Sequence, residues 1–222
     1  MSKDWKGNSN SLHAAIAAHR GGGKSMRQED DFYATDPKAL RMLIEGGCSA
    51  WLNSHFTNIQ RHHVPIWECA CGNGNLATML KFSKGGFDVI ATDLKDRGYG
   101  LSGNDFLKMD ANWLYHNIFY TVDTILTNPP YSLATEFIEH ALDILPDGGL
   151  YIAFMNIGYL AGQKRWQRVY QFGTLREVYV FSKRMEVWKN GEPPKDKCGS
   201  IANYAWYVFQ KGYKGQPTLY WL

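Results

Sequence analysis

The sequence is short of cysteine, of long apolar runs and of charge of one sign, and each scarcity removes a class of protein. Four cysteines in 222 residues (Cys48, Cys69, Cys71 and Cys198) are too few for a secreted disulfide framework. Cys69 and Cys71 stand one residue apart in an apolar strand context, without further ligands at zinc spacing, so buried free thiols are expected and a metal is not. No apolar run approaches membrane-spanning length, and the first residues lack a leader pattern; a cytoplasmic location with no membrane partner is the expectation. Lys and Arg total 24 against 21 Asp and Glu, a formal charge of +3 that is too weak by itself to identify a nucleic-acid partner. Aromatic residues are plentiful, with 8 Trp, 13 Tyr and 11 Phe, and the length suits one sizeable domain.

Residues 1–30 are polar, glycine-rich and charged, and read as a flexible N-terminal arm that orders on a partner. Within it "GGGKS" resembles the tail of a phosphate loop, but Ala18 occupies the place of the first glycine and no strand precedes it. Residues 31–222 read as the folded domain, in which strands and helices alternate. Strands are expected over 64–70, 87–94, 121–128 and 150–160, and helices over 37–46, 75–86, 132–149 and 163–173. In the clearest helix Ile138, Ala141, Leu142 and Leu145 share one face, and Pro146 with Gly148 stops it. Strands over 175–182 and 204–213, joined by the polar loop 183–200, suggest an antiparallel pair at the end. The pattern is α/β: a mostly parallel sheet with helices on both faces and a C-terminal antiparallel strand pair. Ligands of such sheets bind beyond the carboxyl ends of the strands, so the loops after the strands matter most.

After the first of these strands comes "ECACGNGN", where Gly72 and Gly74 permit a tight turn and close approach of a ligand. The third glycine of a dinucleotide fingerprint is missing, Ala77 following instead. Asp93 ends the second strand, where an acid can accept ribose hydroxyls. Glu68 before the glycines suits a sulfonium or ammonium guest better than a pyrophosphate. Asp105 and Phe106, at the expected end of a third strand, offer a carboxylate for an adenine amine and a ring for its face; a helix cap followed by a core phenylalanine is the alternative. "TILTNPPY" closes a buried strand with Asn128, Pro129, Pro130 and Tyr131, a turn stiffened by two prolines. Lys183, Arg184, Lys189, Lys195 and Lys197 make the last long loop basic, for phosphate contacts or simply for solvent, and Arg165 and Arg168 read the same way. Tyr204, Trp206 and Tyr207 are expected in the core, and His62 and His63 in a polar loop without catalytic company.

Together, "DFYATDP", "ECACGNG", Asp93 and "NPPY", in this order, resemble the class I S-adenosylmethionine-dependent methyltransferases. More narrowly they resemble the small, phage-like N6-adenine DNA methyltransferases of NPPY type. The departures are Glu68 where aspartate is common and no proline after it. The resemblance implies a Rossmann-like domain that binds S-adenosylmethionine through Tyr33, Thr35, Glu68, Cys69, Gly72, Gly74, Asp93, Leu94, Asp105, Phe106 and Asn128. It implies a catalytic corner of Asn128, Pro129, Pro130 and Tyr131, with Tyr131, Lys183 and Arg184 toward the substrate. The implied substrate is a DNA adenine, flipped out or single-stranded, with short or relaxed sequence specificity. An RNA adenine, a protein glutamine amide, or an inactive binding or decoy role remain as alternatives.

Overall fold

The computed structural model describes residues 33–118, 121–183, 185, 187–189 and 203–222. The expected arm 1–30, Arg184, Lys195, Lys197 and Cys198 fall outside the described residues. Phe32–Leu222 form one folded unit.

In chain order the elements are β1 (Tyr33–Thr35), α1 (Pro37–Met42), α2 (Ala50–His62), β2 (Ile66–Glu68), α3 (Asn75–Phe82), β3 (Val89–Ala91), α4 (Ala111–Ile118) and β4 (Thr124–Thr127). There follow α5 (Ala134–Ile144), β5 (Leu150–Asn156), α6 (Gln163–Arg168), β6 (Leu175–Val180), β7 (Val187–Lys189), β8 (Tyr204–Gln210) and β9 (Thr218–Trp221). Seven strands form one sheet in the order β3-β2-β4-β5-β8-β6-β9, while β1 and β7 form a separate antiparallel pair. β8 is antiparallel to both its neighbours, β5 and β6, and the other pairings in the large sheet are parallel.

The side-chain period of two sorts the core. On β5, Tyr151, Ala153 and Met155 enter one apolar cluster and Leu150, Ile152 and Phe154 enter the other. β8 does the same, with Ala205, Tyr207 and Phe209 on one side and Tyr204, Trp206 and Val208 on the other. α5 covers the first face through Phe137, Ile138 and Ala141; α1, α2 and α3 cover the second through residues such as Leu40, Phe56 and Leu80. Burial on both faces explains why these strands read as continuous apolar runs. Tyr204, Trp206 and Tyr207 are core residues, as the sequence led one to expect.

Three features depart from expectation. The segment with His62 and His63 is no polar loop: His62 ends α2, and His63 caps it in the left-handed region at φ 53°. Leu52, Phe56 and Ile59 bury one stripe of that helix. No strand ends at Asp105; the chain after β3 makes one isolated bridge, Thr92 to Leu101, and β4 pairs directly with β2. Beyond the antiparallel pair, β9 adds a further strand parallel to β6, its Tyr220 ring stacked on Tyr179 at 5.1 Å.

Candidate functional site

The glycine turn joins β2 to α3 at the carboxyl end of the sheet. Gly72 and Gly74 both lie at positive φ, 55° and 82°, so the turn uses the conformational freedom that glycine alone supplies cheaply. The Cys71 N–H donates to the Thr92 carbonyl and the Gly74 N–H to the Cys71 carbonyl, which bends the chain back before the helix starts. Asp93 holds this turn from the end of β3. Its Oδ2 accepts from the Gly72 N–H at 2.8 Å and its Oδ1 from the Lys95 N–H at 2.9 Å. Thus Gly72, Gly74 and Asp93, separated in sequence, come together. Leu94, next in line, is an apolar side chain left 58% exposed.

Glu68, at the end of β2, is 2% exposed, and its Oε2 is buried without a hydrogen-bond partner. Burial pushes its carboxyl well above the usual carboxylate range, with nearby Asp93 adding to the rise; the Ala77 N–H opposes it. Burial raises the Cys69 thiol, which faces the Thr127 hydroxyl, and pushes Cys71 up to about 12, so both remain thiols at neutral pH. Cys48, Cys69 and Cys71 are free.

The corner Asn128-Pro129-Pro130-Tyr131 follows β4, the neighbour of β2 in the sheet. Asn128, Pro130 and Tyr131 are half-buried and Pro129 is buried. Pro130 lends its carbonyl to the Leu133 N–H at 2.9 Å, starting a short helical turn that leads into α5. The Tyr131 ring sits 6.2 Å from that of Tyr204, which in turn stacks on Phe154 at 5.0 Å. The aromatic core therefore backs the corner.

β1 brings the "YAT" segment to the same end: the Asn75 Nδ2 in the first turn of α3 donates to the Thr35 carbonyl at 3.4 Å. Thr35 is 2% exposed, and its Oγ1 is buried without a partner. The β1–β7 ladder pairs Tyr33 with Lys189, so the start of the domain and the basic loop share a backbone pairing.

Other expected site residues sit differently. Asp105 caps a short helical turn, accepting from the Leu107 N–H at 3.2 Å and lying 3.0 Å from Lys108 Nζ. Phe106 is 2% exposed, wedged between Trp67, Phe137 and His140, so its ring is spent on the core. This is the cap-and-core alternative. Lys183 is exposed. Arg165 donates to the carbonyls of Tyr159, Gly158 and Ala161, and Arg168 pairs with Glu136 and Glu139, so both arginines of α6 serve intramolecular ties. Tyr99 escaped sequence reading: a Cβ on Gly74 would come within 2.3 Å of its ring, which packs against the turn. A lone tyrosine between glycines carries no signal that it folds back.

No protein-family model matches the chain, and no curated protein matches it in sequence. Solved structures match in fold. A Listeria monocytogenes protein assigned to the class I S-adenosylmethionine-dependent methyltransferases superposes with a TM-score of 0.55 at 15% identity, over 96% of this chain and 72% of that one. In the DrdV–DNA complex the TM-score is 0.59 at 12% identity, over 98% of this chain and 31% of that one. The Type ISP restriction-modification enzyme LlaGI, bound to a DNA substrate mimic, gives 0.52 at 12% identity, over 100% of this chain and 28% of that one. This chain therefore spans under a third of the length of those two large proteins, and its fold is the Rossmann-like fold of the class I methyltransferases.

Proposed function

We propose that residues 31–222 form a catalytic domain that transfers a methyl group from S-adenosylmethionine to the N6 amine of adenine in DNA. The observation that carries this reading is the pairing of two devices on adjacent parallel strands: the Asp93-held glycine turn after β2 and the Asn-Pro-Pro-Tyr corner after β4. The residues fit the donor. Asp93 stands for the ribose, Leu94 for the face of the purine, and Glu68, with its unmatched buried oxygen, for the cationic end. When bound, the donor supplies an electrophilic methyl group on a sulfonium.

An adenine amine is a poor nucleophile because its lone pair is delocalised into the ring. In this reading the Asn128 side-chain oxygen and the Pro129 carbonyl accept its two hydrogens, which turns the lone pair out of the ring plane. Two successive prolines hold both acceptors still, so the corner works by positioning and electrostatics without a covalent intermediate. Tyr131, braced on Tyr204, is the stacking surface for a base taken out of its duplex or already single-stranded. DNA as the substrate draws support from the DNA-bound proteins DrdV and LlaGI that share the fold. In the same reading Tyr33, Thr35 and Cys69 belong to the donor side, and Lys183 and Arg184, the latter outside the described residues, are assigned to substrate phosphate.

Labelled methyl transfer, assayed on DNA, RNA and protein pools, tests the proposal: incorporation is expected in DNA as N6-methyladenine. Asn128→Ala should lower turnover by about 100- to 1000-fold while donor affinity stays near the wild-type value. Transfer to RNA or to protein alone would move the assignment to those acceptors, and donor binding with no transfer would make the chain a binding protein.

A further inference from the structure

Glu68 does more in this arrangement than line a pocket. It is 2% exposed at the end of β2, and its Oε2 meets no hydrogen-bond partner. A buried carboxyl oxygen left unmatched costs about 1–3 kcal/mol, so its retention calls for a guest. The groups that face it are Asp93 from the end of β3, the Cys69 and Cys71 thiols of its own loop, and the Ala77 N–H in the first turn of α3. Among these no cation offsets its charge, and Asp93 opposes it. Each Asp93 oxygen already accepts one backbone bond within the turn, from the Gly72 and Lys95 N–H groups. Burial of Glu68, with the Asp93 carboxyl near it, disfavours its charged form unless a cation enters beside it.

We propose that Glu68 is protonated in the ligand-free protein and gives up that proton when the cationic end of the methyl donor enters, so that donor binding is coupled to proton release. This rests on the donor site described above. The guest's charge replaces the proton's: a positive sulfonium or ammonium against Glu68 Oε2 makes the ionised carboxylate the stable form, and the proton passes to solvent. The sign follows. Binding favours the deprotonated protein, so affinity rises with pH by up to about tenfold per unit below the ligand-free titration of Glu68 and levels off above it. The same coupling bears on product release where the sulfonium is the charge sensed, because a neutral thioether then leaves Glu68 unpaired and favours reprotonation.

The experiment is titration calorimetry of the wild-type chain with S-adenosylmethionine below pH 7, where the ligand's own amine stays charged, in two buffers of different ionisation enthalpy. A heat difference corresponding to release of up to one proton is expected, together with an affinity that climbs with pH. Glu68→Gln should remove both the release and the slope. S-adenosylhomocysteine keeps the ammonium and lacks the sulfonium charge. Release with both ligands identifies the ammonium as the partner, and release with the donor alone identifies the sulfonium; either upholds the coupling. Binding without proton release in the wild type, or release unchanged in Glu68→Gln, overturns the coupling and leaves the donor site standing. Failure of both ligands to bind at any pH removes the donor site and the coupling together.

Discussion

At Gly74 the backbone sits at φ 82°, and any side chain there would meet the Tyr99 ring. Gly74→Ala therefore combines backbone strain with a steric clash, and should cost about 1–3 kcal/mol, read as a lower urea midpoint at unchanged m-value. Asp93 carries a different burden, since it shapes the turn and, in the proposed function, also takes the donor's ribose. Asp93→Ala removes the acceptor for the Gly72 and Lys95 N–H groups. Donor affinity should fall by about 10- to 100-fold, in line with about 1.5–3 kcal/mol for a hydrogen bond to a charged group. Calorimetry at fixed pH checks it, and an affinity equal to wild type would take Asp93 out of the site. Both residues were legible in sequence because their chemistry needs a particular residue type at a strand end. Phe106 was not: a phenylalanine reads alike against a base or in a core, and only its contacts with Trp67, Phe137 and His140 decide.

Among the elements, α2 shows how a helix is anchored by a residue of modest appearance. The Ser49 hydroxyl accepts from the Leu52 N–H at 3.1 Å as the N-cap, and donates to Glu177 Oε1 at 2.8 Å on β6. Glu177 is 4% exposed, and its other oxygen accepts from the Tyr179 hydroxyl, which also accepts from the Ser49 N–H. Ser49→Ala removes a cap and leaves a buried carboxylate short of a donor. The expected loss is about 1–3 kcal/mol, seen as a drop in Tm, and Ser49→Thr should restore most of it. The helix itself was within reach of the sequence, given Leu52, Phe56 and Ile59 at helical spacing after a serine cap. Its polar face, rich in His, Asn and Gln, masked that stripe. The strand expected to end at Asp105 failed for a local reason: Gly98, Gly100 and Gly103, all at positive φ, break up the chain after β3.

For the whole molecule, stability rests on two apolar layers divided by one sheet. Phe154 is fully buried and touches Tyr204, Trp206 and Phe181, which places it at the centre of the layer behind Tyr131. Phe154→Ala should cost about 3–5 kcal/mol by chemical denaturation and also loosen Tyr204, on which Tyr131 leans. Turnover is therefore expected to fall more than donor affinity, a split that kinetics beside calorimetry would resolve.

The sequence by itself determined the class of fold, because apolar runs of strand length alternating with amphipathic helices admit few solutions other than a covered parallel sheet. It also supplied the loops on which the proposed function rests, since glycines before a helix, an acid at a strand end and an Asn-Pro-Pro-Tyr corner are each short-range chemistry. Tertiary structure decided what pairs with what. Strand order, the antiparallel place of β8 between β5 and β6, the core fate of Phe106 and the pairing of Arg168 with Glu136 and Glu139 depend on contacts between residues far apart in sequence. The unmatched oxygen of Glu68 belongs to the same kind, because burial and partnering are properties of the packed whole and not of a residue's name.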